Sequence, residues 1–599
     1  MPEYLAPGVY VEETSFRSKS IEGVSTSTTA FIGPTLKGPV MPRNASERWN
    51  ATPELLTSFS DFERIYGGYE SLTFGSTTTV NYLAHAVQAY FNNGGARLYV
   101  GRLYKGALTH AASAVVAQVI AGATGEIRLR ARFPGSYFNS VTVSVQPLFT
   151  PTSAAALPNL PADTVLRVVD AAQASFTAAQ FVKDGVTWKK RATAADPLTD
   201  SVAADFTGNK LFQIVSAVVT VSHKNGDTLW TDTVSFVRTA PDFIGSELAD
   251  VQSKRSTDLT LPVALSFGTA AALTTADALD KLARGLLGNF VAADAPAPTR
   301  VPLGTVAGTD GDAPDGTEAT VALNYLLGME DISIVGAPGL SHIASVQGAL
   351  IAHADKRRSY RIAVLDAAPN QLVSEVRTAR GLIDSTHAAL YYPWVVVTNP
   401  LASPRNTEPA EITVPPSGFV AGIYARTDVE RGVWKSPANE VVRGALRFER
   451  EVSFPEQEVL NPIGVNCLRT LPGRGLRVWG ARTASSDPEW KYVSVRRYFN
   501  YLEASIDRST QWAVFEPNGE RLWDNVRNSV ADFLFNEWKQ GALLGLKPDE
   551  AFFVRCDRTT MNQNDLDNGR LVCLIGVAVV KPAEFVVFRI GQKTAEAKA

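Results

Sequence analysis

The chain has 599 residues, 45% hydrophobic and 20% charged, enough apolar material for several buried cores. Lys and Arg number 57 against 60 Asp and Glu, a formal net charge of -3, and no basic face of the kind that phosphate binding demands stands out. The opening MPEYLAPGVY has neither the basic nor the apolar region of a secretory leader, and no stretch nears the ~20 apolar residues of a membrane span, so neither nucleic acid nor membrane is an expected partner.

The first element in the chain is GVYVEE (8–13). Val9, Tyr10 and Val11 favour a strand, and Pro7-Gly8 punctuates its start. The polar TSFRSKSIEG (14–23) that follows reads as a tether. A lone strand on a tether cannot satisfy its own backbone N–H and C=O groups. STTAFIG (27–33) is a short strand closed by Pro34. NYLAHAVQAYFNNGG (81–95) is a helix, with Leu83, Ala86, Val87 and Tyr90 on one face and Gly94-Gly95 as its stop. ARLYVGRLY (96–104) returns as a strand.

From residue 105 to about 318 Ala and Thr dominate. Short alternating runs appear there: EIRLRARF (126–133), SVTVSV (140–145), TVLRVVD (164–170) and LWTDTVSFV (229–237). FPGS and HKNGD supply turns between them, so the segment reads as one β-rich insertion or two. Asp310, Asp312 and Asp315 in its last loop miss the EF-hand spacing, and the loop reads as solvated.

Beyond 321 strands alternate with helices. DISIVGAP (331–338), YRIAVLDAAP (360–369) and HAALYYPWVVVTNP (387–400) are strands, the last one long and buried. SHIASVQGALIAHADKRRS (341–359) and SEVRTARGLIDS (374–385) are helices, and such alternation implies parallel β/α/β packing. In 517–545 a long amphipathic helix carries Leu522, Trp523, Val526, Val530, Phe533, Leu534 and Trp538 as its apolar stripe. Three strands follow: AFFVRCD (551–557), RLVCLIGVAVV (570–580) and AEFVVFRI (583–590). The middle one is apolar on both faces, as in a central strand.

Chemistry is hard to find. Asp366 ends a strand of the α/β region, where sites often lie. No G-x-S-x-G elbow presents a nucleophile, and Ser341 reads as a helix N-cap. The six histidines make no H-x-x-x-H or H-E-x-x-H pair, and there is neither C-x-x-C nor a phosphate loop, so no metal or cofactor is expected. Cys467, Cys556 and Cys573 read as free thiols in apolar surroundings, as in a reducing compartment. What remains is a strand near each end without an evident partner. Val586, Phe588 and Ile590 make one apolar face of the last one. Either both ends fold back on their own chain, or each adds a strand to a neighbouring copy's sheet.

Several long stretches resemble the contractile tail sheath proteins of bacteriophages and of phage-tail-like injection particles. They are APGVYVEE…STSTTAFIGPTLKGP (6–39), HAVQAYFNNGGARLYVGR (85–102), PPSGFVAGIYARTDVERGVWKSPANE (415–440), the run from LNPIGVNC to YLEASI (460–506), FEPNGERLWDNVRNSV (515–530) and KPAEFVVF (581–588). The resemblance implies a multidomain α/β and α+β protein. Its parts would be an N-terminal donor-strand arm and tether (1–23), a first part of the core (24–104), a β-rich surface insertion (105–320), a subtilisin-like α/β domain (321–445), a C-terminal α+β sheath domain (446–582) and a C-terminal donor-strand arm (583–599). The subtilisin likeness is architectural, since the protease's Ser and His motifs are missing.

The implied function is that of a sheath subunit made in the bacterial cytoplasm and built into a virion tail or tail-like particle. It stacks on itself as six-fold rings around an inner tube and contracts to drive that tube through an envelope. Baseplate and tail terminator proteins are the other implied partners. By the same resemblance the donor strands are Val9, Tyr10, Val11, Glu12 and Glu13 of one copy and Phe585, Val586, Val587, Phe588 and Ile590 of another. The acceptor hairpin of a third copy spans Phe552–Cys556 and Leu571–Val580, with Phe552, Val554, Cys556, Val572, Leu574 and Val577 as marker positions. The helix 519–541 and the turn after it, with Lys539 and Lys547, are candidate contacts to the tube; the alternative is a helix packed wholly in its own domain with a solvated polar face. The competing reading is a hydrolase using the subtilisin-like region.

Overall fold

The computed structural model describes residues 20–41, 53–107, 111, 113–118, 125–171, 178–193, 195–268, 272–288, 290–291 and 296–588. Its centre is a nine-stranded sheet. In spatial order the strands are Leu55–Leu56, Leu98–Arg102, Thr29–Gly33, Ile334–Gly336, Ile362–Asp366, Ala388–Tyr392, Val465–Leu471, Gly475–Val478 and Glu440–Val441. The run from Leu98–Arg102 through Val465–Leu471 is parallel throughout, and only the outer strands are antiparallel. Segments that the sequence divides at 104, 321 and 445 therefore share one sheet.

Both faces of the sheet are covered, which is why its strands are apolar runs. Alternate side chains serve opposite layers: Ile362 and Val364 join the cluster of the helices Tyr82–Asn92 and Ser417–Arg431. Ala363 and Leu365 join that of the helices Gly316–Leu326, Ala344–Ala354 and Val373–Arg380. The Tyr82–Asn92 and Ser417–Arg431 helices meet almost backbone to backbone. A Cβ on Gly418 would stand 2.6 Å from the Ala86 Cα, and one on Gly422 2.5 Å from the Tyr90 carbonyl oxygen. The small residues of SGFVAG thus set how closely these helices lie on the sheet.

The long strand expected over 387–400 is two. Ala388–Tyr392 stays in the parallel sheet, while Val395–Thr398 pairs with Glu411–Val414 and Arg447–Phe448 in a separate small sheet. Pro393, which lacks a ladder donor, stands at the break. Ser341 caps no helix: the following helix starts after Ile343, without a side-chain cap.

The insertion is antiparallel β-sheet with a helix. Lys210–His223 is its longest strand and pairs along most of its length with Val141–Thr152. Val165–Asp170, Ala178–Asp184, Thr187–Lys190, Thr199–Asp200, Thr228–Ser235 and Thr299–Pro302 complete that sheet. The helix Ala276–Leu287 seals it with Leu279, Leu282, Ala283 and Leu286. The loop read as solvated is the rivet between insertion and core. Asp310 is 5% exposed and accepts from the Ser136 N–H (2.7 Å), the Ser136 hydroxyl (2.8 Å) and the Thr73 N–H (3.0 Å). Asp315 pairs with Lys105 at 2.8 Å and caps the Gly316–Leu326 helix, so core structure resumes at 316 and not after 320.

The C-terminal part packs the helices Val493–Ser509 and Glu520–Lys539 together with a two-stranded hairpin, Phe552–Arg555 and Leu574–Val577. Six of the seven expected stripe residues of Glu520–Lys539 are buried, and Trp538 is half-buried. Among the described residues no helix is long and apolar enough to cross a membrane.

Candidate assembly surfaces

The hairpin forms a sheet of its own, with Phe552 opposite Val577, Phe553 opposite Gly576, Val554 opposite Ile575 and Arg555 opposite Leu574. No third strand among the described residues extends it. The Phe553 ring lies over Gly576, where a Cβ would come within 2.2 Å of it, so a side chain there would lift the ring off the sheet. Cys556 is buried, Phe552, Val554 and Val577 are half-buried, and Val572 and Leu574 are exposed. The strand expected over 570–580 shrinks to Leu574–Val577, and it is not central. After Val577 the chain turns to other partners: the Ala578 N–H donates to the Ala551 carbonyl, and the Leu544 N–H donates to that of Ala578. Cys556 and Cys573 are free thiols in contact at the loop end of the hairpin, just beyond the Arg555–Leu574 pair, with Cys573 half-buried.

Residues 583–588, expected to be strand, have no regular structure. Phe585, Val586, Val587 and Phe588 are 73%, 69%, 76% and 84% exposed. Four consecutive large apolar side chains in water are costly for a monomer. Ile590, and Val9, Tyr10, Val11, Glu12 and Glu13 of the other expected donor, lie outside the described residues.

The residues from which the two expected arms would leave the body are bolted down. Ile21 is 8% exposed in the C-terminal core. The Glu22 and Val24 N–H groups donate to the Ser509 and Ser505 hydroxyls of the Val493–Ser509 helix. Gly23 runs so close to that helix that a Cβ would meet the Tyr501 hydroxyl at 2.3 Å. Thr26 donates to Asp428, which is itself in a buried ion pair with Arg497. Ile21 and Glu22, expected in the tether, therefore belong to the anchor.

At the other end, Glu584 accepts from Arg482 Nε (2.8 Å), Arg482 Nη2 (2.5 Å), Asn461 Nδ2 (2.9 Å) and the Tyr492 hydroxyl (3.3 Å). Burial pushes its carboxyl up, but the hydrogen bonds and positive charge of Arg482, with Asn461 and Lys491, outweigh it and hold it below the usual glutamate range. Glu584 was not singled out in the sequence, where the only signal is an acid stranded before an apolar run.

Of the candidate tube contacts, Lys539 is exposed and lies over the Phe535 ring, and Lys547 is exposed just before the short helix Pro548–Ala551. Between them Leu544 and Leu546 are 53% and 92% exposed. The turn lies within the expected contact region, but its apolar tip was not singled out: of the three leucines in GALLGLK, Leu543 is buried and the other two face solvent. Phe515, missed as well, projects fully into solvent from a left-handed backbone, φ 69°.

The enzyme reading centres on Asp366. Its carboxylate accepts from the Ser417 N–H (2.7 Å), the Ser417 hydroxyl (2.8 Å) and the Ser341 hydroxyl (3.1 Å), and its own N–H donates to Ser341. Asp366, Ser341 and Ser417 are all fully buried. His353 pairs with Arg361 and His387 with Asp355, so neither joins the cluster. A nucleophile sealed from solvent has no access to substrate, whereas a carboxylate tying the end of one strand to the start of the Ser417–Arg431 helix is a structural clasp. No group of three or more His, Cys, Asp or Glu among the described residues is arranged to hold a metal.

Burial pushes Asp366 up to about 6, against the hydrogen bonds from Ser417 and Ser341. A carboxyl that is raised on folding stabilises the fold while protonated, and that stability is lost as pH rises from its ordinary 3.8 through about 6. The loss is about 3 kcal/mol. Asp366→Asn is expected to flatten the fall in unfolding free energy between pH 4 and 7 by that amount, as measured by denaturant titration against the parent.

Residues 312–484 match the phage tail sheath protein central domain, and residues 485–593 match the phage tail sheath C-terminal domain. Residues 312–593 are thus phage tail sheath domains. A prophage major tail sheath protein of Pseudomonas aeruginosa strain UCBPP-PA14 is 28% identical over 260 residues, 42% of this chain and 63% of that protein. The tail sheath protein of Burkholderia phage BcepMu is 29% identical over 247 residues, 38% of this chain and 48% of that protein. The matches thus span less than two thirds of these curated relatives. Two solved structures share the fold over nearly the whole chain. The anti-feeding prophage helical sheath in its contracted state has a TM-score of 0.52 at 20% identity, covering 98% of this chain and 99% of that one. The contracted sheath complex of the PVC extracellular contractile injection system has a TM-score of 0.50 at 19% identity, covering 99% of each.

Proposed function

We propose that this chain is the structural subunit of a contractile tail sheath. It polymerises around an inner tube, and the sheath's contraction drives the tube through a target envelope. The observation that carries the reading is the pairing, in one chain, of a two-stranded hairpin unextended among the described residues with a firmly rooted, largely exposed apolar segment. In strand donation, Val9–Glu13 of one copy and Phe585–Ile590 of another flank the hairpin of a third. The shared backbone ladder then gives a head-to-tail contact that propagates as a tube instead of closing. Contraction needs only two packings of the same rigid cores with the shorter one lower in free energy, so no cofactor or nucleotide enters. The turn from Lys539 to Lys547, with Leu544 and Leu546 at its tip, faces the tube, and the β-rich insertion lies on the outside. Baseplate and terminator proteins cap the stack.

The test is electron microscopy of the protein assembled with its tube protein, before and after a contraction trigger. Six-fold helical sheaths that shorten and widen are expected. Failure to form tubes, or tubes of fixed length, would refute the reading.

A further inference from the structure

Glu584 is the one charged residue in AEFVVF, and it is held where the exposed apolar run begins. Its partners come from three places. Asn461 closes the helix Phe454–Leu460, Arg482 follows the sheet strand Gly475–Val478, and Tyr492 immediately precedes the helix Val493–Ser509. Arg482 is only 6% exposed, and its remaining Nη1 donates to the Asn461 carbonyl at 2.9 Å. The guanidinium is thus held by the body independently of the arm and presents a two-pronged socket to one carboxylate. The junction of the central and C-terminal family domains falls between Arg482 and Tyr492, so the socket straddles it.

We propose that Glu584 is a positioning latch: seated in the Arg482 socket, it fixes the point and direction at which the C-terminal arm leaves the body, so that Phe585 onward meets the hairpin of a second copy in register. The inference rests on the strand-donation reading given above. A strand offered without a fixed root pays for ordering that a rooted strand has already paid, and side chains one residue out of register swap faces. A latch worth one charge-assisted hydrogen bond changes association by about tenfold.

The experiment compares the parent with Glu584→Ala, Glu584→Gln, the double charge reversal Arg482→Glu with Glu584→Arg, and a chain lacking 585–599. Thermal unfolding of monomers and the critical concentration for polymerisation are measured together. Glu584→Ala strips the 6%-exposed Arg482 of its carboxylate and is expected to melt somewhat below the parent, yet to need about tenfold more protein to polymerise at temperatures where it is fully folded. Glu584→Gln should fall between them, and the charge reversal should recover much of the loss. Parent-like polymerisation of Glu584→Ala overturns the latch while leaving strand donation intact. A polymerisation defect that disappears when parent and variant are compared equally far below their melting temperatures also overturns it, since Glu584 would then act on the fold alone. Parent-like polymerisation of the chain lacking 585–599 overturns strand donation itself, and the latch with it.

Discussion

Removing residues 585–599 is expected to abolish polymerisation and leave the monomer as stable as the parent. The asymmetry follows from exposure. Phe585, Val586, Val587 and Phe588 are all at least 69% exposed, so the monomer loses almost no buried area with them. In a donated strand, Val586, Phe588 and Ile590 would share one face. Burying each such side chain is worth roughly 1.5–3 kcal/mol, and every 1.4 kcal/mol is about tenfold in an association constant. Even after the cost of ordering the strand, loss of three anchors should weaken each contact by about a thousandfold or more. The truncated chain should sediment as a folded monomer at concentrations where the parent forms tubes. Micrographs showing ordinary tubes from it would sink strand donation.

The central sheet was legible because both its faces are buried: runs such as IAVLD and AALYY have few other places to go. The Tyr82–Asn92 helix was legible from a single apolar face and its Gly94-Gly95 stop; its Asn81 cap was not singled out. Local signal was present but passed over in the insertion. Val215, Ala217, Val219 and Val221 alternate along Lys210–His223, and Leu279, Leu282, Ala283 and Leu286 repeat at helical spacing after the Thr275 cap. The polar clasps were a different case. Asp310 reaches Ser136, Glu537 takes the hydroxyls of Tyr498 and Tyr501, and Glu584 reaches Arg482. Each is an ordinary acid in the sequence, and its meaning comes from a partner tens to hundreds of residues away. The hairpin shows the converse. RLVCLIGVAVV is apolar enough for a central strand, yet among the described residues its strand Leu574–Val577 has a neighbour on one side only. A sequence pattern records burial in the final assembly, and a monomer shows part of that burial as exposure.

The second large effect concerns motion. The anchor at Ile21, Glu22 and Val24 on the Val493–Ser509 helix would give the proposed N-terminal arm a rigid root in the C-terminal part of its own chain. If GVYVEE pairs with another copy, the link between that pairing and the root is short, from Thr14 to Ser20. A short link under tension passes displacement from one ring to the next, and a slack one does not. An extended residue spans at most ~3.6 Å, so inserting Gly-Ser-Gly after Ser18 adds up to about 11 Å. The entropic cost of the longer link is well under about 1 kcal/mol, so strand pairing and assembly should survive. Extended sheaths of normal appearance are therefore expected, with propagation of contraction blocked. Sheath length and diameter after a contraction trigger decide the matter. Variant sheaths that shorten and widen like the parent would mean that displacement travels through core-to-core contacts, and that the anchored root serves only to keep the rings joined.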